Sequence, residues 1–121
     1  MATLSETREL IAALRASHDH LVSVAGDLDE PALRGASYDD EWSIGQVLSH
    51  LGSQSEIFEL FLDEVLAGRP APSGEVFPPI WDVWNAKAPL EWRDDWRAAS
   101  EQHVARFEGL SDEQVHAFAM D

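Results

Sequence analysis

One histidine of this chain stands inside an apolar helical pattern, in the stretch WSIGQVLSHL at residues 42–51. Imidazole is the commonest metal-ligating side chain, and it also occurs as a polar residue at the boundary of a helical core. From the residues alone, His50 is therefore either a metal ligand or a boundary residue at a seam between helices. A metal role requires further ligands, because one imidazole does not make a site.

The other histidines offer less favourable arrangements. His18 and His103 each fall on the apolar face of a predicted helix, so three histidines from three helices could converge with His50. A single amphipathic residue in a helical stripe is the simpler interpretation of each. His18 and His20 are two residues apart, which turns them to different sides of a helix and makes a poor chelate.

Two further groups of titratable residues could be considered as site residues, but each has a sufficient structural explanation. Glu113 and His116 have a spacing that places both on one helical face, and near the end of the sequence a solvated pair is favoured. Asp39, Asp40 and Glu41 directly precede a helix start, where negative charge complements the helix dipole.

Three long helices are predicted to position these residues. Thr3 and Glu6 form a capping box for the first, and Ser43 and Gln46 form one for the second. Apolar residues at three- and four-residue steps define the faces, and Gly68 ends the second helix. The first stripe comprises Leu10, Ile11, Leu14, Leu21, Ala25 and Leu28. The second comprises Ile44, Val47, Leu48, Leu51, Phe58, Leu62 and Val65.

The third helical region follows a proline-rich segment. RPAPSGEVFPP predicts a loop, IWDVWNAKA a short helical piece, and a third long helix runs from about Leu90 to Glu108. Its tryptophans (Trp81, Trp84, Trp92 and Trp96) form either core or the wall of an apolar pocket. No alternation typical of strands occurs, so the predicted fold is all-α.

A weak internal repeat appears when the chain is offset by 82 residues. The offset aligns Leu10 with Trp92, Leu14 with Trp96, Ala25 with Phe107, Leu28 with Leu110, and Leu33 with Val115. The linker DLDEPAL then corresponds to GLSDEQV. The counterpart of His50 falls near position 132, beyond the sequence, which predicts an up-down bundle of the four-helix type lacking its fourth helix.

Composition excludes several classes of protein. The chain has 121 residues, which predicts one domain over 1–121, and a formal charge of −15 without a basic cluster. Such acidity excludes nucleic acid and anionic membrane surfaces as partners. There is no cysteine, and no apolar run is long enough for a membrane span. A cytoplasmic location is expected.

These features resemble a known family. The first helix, the acidic linker and the block DDEWSIGQVLSHL are similar to DinB-like four-helix bundles. The similarity is closest to the N-terminal domain of mycothiol-dependent maleylpyruvate isomerases. It extends over nearly the whole chain, including WDVWN.

The resemblance implies a metal-dependent, small-thiol-dependent transferase or isomerase. In the family, the histidine matching His50 is one of three ligands to a divalent metal, commonly zinc, and the other two come from the fourth helix. Mycothiol as the nucleophilic thiol would explain why no protein cysteine is needed. The expected partners are therefore a small-molecule substrate or thiol.

Two hypotheses follow. In the first, the chain is the N-terminal part of a longer metalloenzyme, with His50 as metal ligand. In the second, it is a non-catalytic bundle that serves as a binding or dimerisation module, because two ligands are missing. A three-helix remnant is expected to hide its open groove by forming a homodimer.

Overall fold

The structure, a computed structural model, describes residues 3–37 and 42–119, excluding the side chains of 117–119. The described chain is helical, as predicted. Its elements are α1 (Leu4–Ala25), α2 (Glu30–Leu33), α3 (Ile44–Leu66), a 3-10 turn (Gly74–Val76), α4 (Phe77–Asn85), α5 (Pro89–Glu108) and α6 (Asp112–Ala119). No helix among these residues has the length and apolarity that crossing a membrane requires.

The helix starts follow the predicted capping chemistry. At the start of α1, Thr3 Oγ1 accepts a hydrogen bond from the backbone N–H of Glu6, which is one of the two bonds of the predicted capping box. Ser43 and Gln46 exchange both bonds of a capping box at the start of α3. Gly68, just beyond α3, has a φ of +73°, a conformation that glycine adopts without a steric penalty. The caps therefore fix where the helix carrying His50 begins and ends.

The proline-rich segment is shorter than predicted. Residues 77–79, expected in a loop, belong to the first turn of α4, with Pro78 and Pro79 among them. Proline is tolerated there because the first N–H groups of a helix have no intrahelical partner. The loop prediction is therefore wrong for the end of this segment.

Helix α5 contacts both of the other long helices. Arg8 donates to the carbonyl of Leu110 and Arg93 to that of Leu28, so α5 runs antiparallel to α1. The side chain of Glu59 contacts both His103 and Arg106, and Gly45 lies against Trp92, so α5 runs parallel to α3. The up-down order holds from α1 to α3 but not from α3 to α5. Residues 67–88 return the chain to the end of the bundle where α3 begins, so α5 starts there and runs parallel to α3.

The apolar core is divided into two clusters. One is built on Ala25, Leu33, Leu48, Trp84 and Trp96. The other, near the opposite end of the long helices, is built on Ile11, Leu62, Leu110 and Val115. Buried polar side chains, including His18, Ser55 and His103, lie between the two clusters. The middle of the bundle therefore contains buried polar side chains, alongside the buried apolar residues Ile57 and Val104.

The 82-residue repeat has a structural counterpart in its linkers. Asp29 caps α2, and Ser111 with Gln114 caps α6 at the equivalent place. Leu33 and Val115, which the offset aligns, are both fully buried. The correspondence fails on α1, where Leu10 is 66% exposed. Leu10 was predicted in the core stripe, but it is largely solvent-exposed.

Candidate functional site

The site around His50 is built on a small-residue face of α3. Gly45 and Gly52 are two turns apart, and the buried residues Ser49 and Ser53 lie along the same stretch of helix. A Cβ at position 45 would lie 2.7 Å from Cε3 of Trp92, and one at position 52 would overlap the ring of Trp84. The absence of side chains at these two positions lets both indoles approach α3 closely.

An open concavity lies beside these two indoles, between α3 and the region of α4 and α5. Its volume is about 540 Å³. Four indoles, four neutral polar side chains and one imidazole line it: Trp42, Trp81, Trp84, Trp92, Gln46, Ser49, Ser53, Asn85 and His50. We call this feature the tryptophan concavity. The tryptophans were predicted to form either core or the wall of a pocket, and both roles occur. Trp96 lies in the core, whereas Trp84 belongs to the core and also lines the concavity.

Trp84 is the structural centre of the concavity. It is 1% exposed, and its carbonyl accepts a 2.6 Å hydrogen bond from Nε1 of Trp92. The ammonium group of Lys87 lies 5.1 Å from the centre of its ring, within cation–π distance. In contrast, Nε1 of Trp84 is buried and has no hydrogen-bond partner in the part of the chain that the structure describes.

His50 lies at the rim of the tryptophan concavity. Its side chain is exposed, and its ring meets that of Trp42 edge-on with the centroids 5.3 Å apart. Ser53 donates to the carbonyl of His50 one turn further along α3. The predicted position at a seam between helices is therefore wrong in its burial, because no described element covers the face of α3 that carries His50.

The residues around His50 do not complete a metal site. A catalytic zinc typically has three protein ligands, and among the described residues the group of three possible ligands is His18, Asp19 and Glu101, without His50. A metal at His50 would need donors from outside the described residues. Asp39, Asp40 and Glu41 lie outside them.

The carboxylates of the group formed by His18, Asp19 and Glu101 are already paired with a neighbouring cation. Arg15 donates to Glu101 at 2.5 Å and to Asp19 at 3.3 Å. His18 is bonded to Ser100 through Nδ1 and lies 3.1 Å from Glu101 through Nε2. The guanidinium group thus pairs with both carboxylates, and ion pairing is a sufficient explanation of the arrangement.

His103 belongs to a second network, between α3 and α5. Its Nδ1 lies 2.5 Å from one oxygen of Glu59, and Arg106 donates to the other oxygen at 2.6 Å. Arg106 also pairs with Asp63, and bonds to Glu59 and then Asp63 raise the pKa of its guanidinium. Glu59 was not predicted as a candidate site residue, because no motif or spacing in the sequence around it indicates its contacts with α5.

The three histidines do not converge in this structure. His18 and His103 line a groove between α1 and α3, whose floor is α5, whereas His50 lines the tryptophan concavity. Glu113 and His116 are exposed on α6, in accord with the expected solvated positions.

The Arg15 network gives a testable pH dependence. Arg15 donates to both oxygens of Glu108, and these bonds hold the pKa of Glu108 below its usual value. A lowered folded-state pKa contributes stability above the unfolded-state pKa, and that contribution is lost as the pH falls through the folded-state value. We therefore expect Glu108→Gln to lose less stability than the wild type between about pH 5 and pH 3.

Urea unfolding at a series of pH values measures this effect. Glu113→Gln, which removes an exposed carboxylate from α6, serves as the control and should follow the wild-type slope. An acid slope for Glu108→Gln equal to that of the wild type would show that the Arg15 bond contributes nothing to stability.

Fold and site together define a small helical-bundle domain with a ligand-sized concavity on its second long helix. The chain belongs to the mycothiol maleylpyruvate isomerase N-terminal domain family, whose model matches residues 14–119. This match confirms the family resemblance inferred from the first helix and the WSIGQVLSHL block. No curated protein and no solved structure was found to match the chain.

Proposed function

We propose that this domain is the metal-binding, DinB-like part of a small-thiol-dependent transferase or isomerase, with mycothiol as the thiol and a divalent metal, zinc, as the cofactor. The observation that carries the proposal is the position of His50, exposed at the rim of a concavity in a chain of this family. An exposed imidazole is accessible to a cation, whereas His18 and His103 are buried in ion-pair networks.

His50 supplies one ligand in this proposal. The remaining ligands come from groups outside the described residues, on a four-helix bundle whose fourth helix packs beside α3. Trp42 restricts the imidazole ring through their edge-on contact. None of the described residues that line the concavity is a carboxylate. The lining therefore does not offset the charge of the metal, which acts on the thiol and the substrate.

Metal analysis tests the proposal. The protein is purified from its native cells, so that any further segment or partner that provides ligands is present. We expect close to one equivalent of divalent metal in the wild type and a loss of at least about tenfold in occupancy in His50→Ala. The control His20→Ala removes an exposed histidine from α1 and should keep its metal. A metal-free wild type, or full occupancy in His50→Ala, would overturn the assignment.

A second candidate function, a dimerisation module, is favoured by the groove between α1 and α3. Leu14, Leu21, Leu51 and Phe58 line this groove, and Leu14 and Phe58 are exposed. Exposed apolar side chains along a groove favour association, and a homodimer would cover them. In this proposal the scaffold acts by binding a second copy.

Sedimentation equilibrium distinguishes this candidate. We expect a dimer for the wild type and a monomer for Phe58→Glu, which places a charge in the groove. Val24→Glu, at an exposed apolar position on α1 that does not line the groove, is the control and should remain dimeric. A wild type that is monomeric at every concentration would contradict the module hypothesis.

A further inference from the structure

The groove between α1 and α3 contains an imidazole nitrogen that the ion-pair networks do not use. His103 bonds to Glu59 through Nδ1, at 2.5 Å, and its Nε2 has no hydrogen-bond partner among the described residues. In His18, by contrast, Ser100 engages one ring nitrogen and Glu101 the other. Of the two histidines that line the groove, His103 is therefore the one with a nitrogen available to a ligand.

The available nitrogen of His103 is accessible on the groove side of the ring. In the part of the chain that the structure describes, the buried side-chain nitrogen without a partner is Nε1 of Trp84, so Nε2 of His103 retains contact with solvent. His103 lines the groove, whereas Glu59 and Arg106 line a separate hollow against α4. Nδ1 therefore points away from the groove, and the accessible edge that carries Nε2 lies on it.

The contact with Glu59 determines how Nε2 can bond. A carboxylate only accepts hydrogen bonds, so Nδ1 carries the hydrogen, and Nε2 of the neutral ring is an acceptor. Arg106 donates to the other oxygen of Glu59 and holds the carboxylate in place. The ring stacks on Phe58 and meets Phe107 edge-on, with centroids 6.2 and 4.8 Å away, which restricts its rotation. The groove therefore presents a fixed hydrogen-bond acceptor.

The surroundings of Nε2 suit a single neutral aromatic ring. The groove has a volume of about 250 Å³, and an apolar cavity of about 150 Å³ is sufficient to hold benzene. None of the described residues that line it is Asp, Glu, Lys or Arg, and a chain with a net charge of −15 repels anions. The carboxamide of Gln54, half-buried on the same groove, has no partner among the described residues. The apolar lining comprises Leu14, Leu21, Leu51, Phe58, Trp96 and Val104.

We propose that the groove between α1 and α3 binds a small phenol, whose ring lies against Phe58 and the leucines and whose hydroxyl donates to Nε2 of His103. A phenol combines a flat apolar body with a hydrogen-bond donor, and it stays neutral at pH 7 because the ordinary phenolic pKa is about 10. The inference goes beyond the proposed function, since it uses neither His50 nor a metal. It assigns the groove to a ligand, where the second candidate function assigns it to a second copy of the chain.

Imidazole signals in long-range ¹H–¹⁵N NMR spectra test the proposal. The full chain, labelled with ¹⁵N, is titrated separately with phenol, toluene and benzoate at neutral pH. We expect the Nδ1–H tautomer of His103 and a saturable shift of its Nε2 signal with phenol. Toluene, which lacks the hydroxyl, should bind roughly 3- to 10-fold more weakly, the effect of one hydrogen bond. His20, exposed on α1 and outside the groove, supplies the reference signals.

Variants link the shift to the groove. Phe58→Ala, at an exposed position, should weaken phenol binding roughly 3- to 10-fold. Trp81→Ala removes a comparably accessible aromatic ring that does not line the groove, and it should bind phenol as the wild type does. His103→Phe keeps an aromatic ring against Phe58 but removes Nε2, so it should bind phenol and toluene with equal affinity.

Several outcomes would overturn the proposal. No saturable shift of Nε2 with phenol, or equal affinities of the wild type for phenol and toluene, would exclude the hydrogen bond to His103. Benzoate that binds more tightly than phenol would show an anion site instead. His50→Ala should bind phenol as the wild type does, and a joint loss of metal and phenol binding would place the ligand at the other site. Phenol binding by a protein that never holds metal would contradict only the metal assignment and would support the phenol site.

Discussion

Trp84→Ala is expected to lower the free energy of unfolding by about 3–5 kcal/mol. The indole is 1% exposed, belongs to the larger apolar cluster and fills the space beside Gly52. Replacing it with a methyl group removes the buried apolar area and leaves a cavity in rigid helical surroundings. For a domain with a total stability of about 5–15 kcal/mol, this change is sufficient to populate the unfolded state.

Urea unfolding followed by far-UV circular dichroism measures the loss. Trp81→Ala is the matched control, because it removes the same side chain from the same helix at a position that is 41% exposed. Its expected loss is below about 1 kcal/mol. Equal losses in the two variants would mean that Trp84 is not the packing centre of α4.

Gly52→Ala is expected to destabilise the protein by about 1–3 kcal/mol, although alanine is the better helix former. A methyl group at this position would overlap Cη2 and Cζ3 of the Trp84 ring, and the next nearest ring atom, Cζ2, would lie 3.0 Å away. Relief requires the whole indole to move, because the clash involves the ring and not the end of a flexible chain. The overlap should outweigh the gain in helix propensity of about 1 kcal/mol.

A double-mutant cycle tests the cause of this effect. Gly52→Ala combined with Trp84→Ala should cost less than the sum of the two single changes, because the clash disappears with the ring. Gly74→Ala is the control, since a Cβ there meets open space, and its effect should stay within about 0.5 kcal/mol. Additive losses would exclude contact between residues 52 and 84 as the cause.

Local signals in the sequence were sufficient for most of the fold. Thr3, Ser43 and Gln46 cap helices where expected, because capping depends only on residues within one turn. The extent of α4 was missed, since Pro78 and Pro79 break a helix interior but are accepted in a first turn. The parallel course of α3 and α5 depends on long-range packing, which no local pattern encodes.

The candidate site was predictable only in part. His50 was singled out by its type and by the family resemblance, but its exposure depends on which neighbouring elements cover α3. The seven-residue spacing of Gly45 and Gly52 was a usable signal for close packing against α3, and it was not recognised. Glu59 carries no such signal, because its contact with His103 and Arg106 arises from the register between two helices.

The position of a bound metal tests the central claim most directly. Crystals of the protein purified from its native cells, measured at the zinc absorption edge, locate the ion by its anomalous scattering. The account predicts a peak about 2.0–2.1 Å from a ring nitrogen of His50. A peak among His18, Asp19 and Glu101, with none at His50, would contradict it.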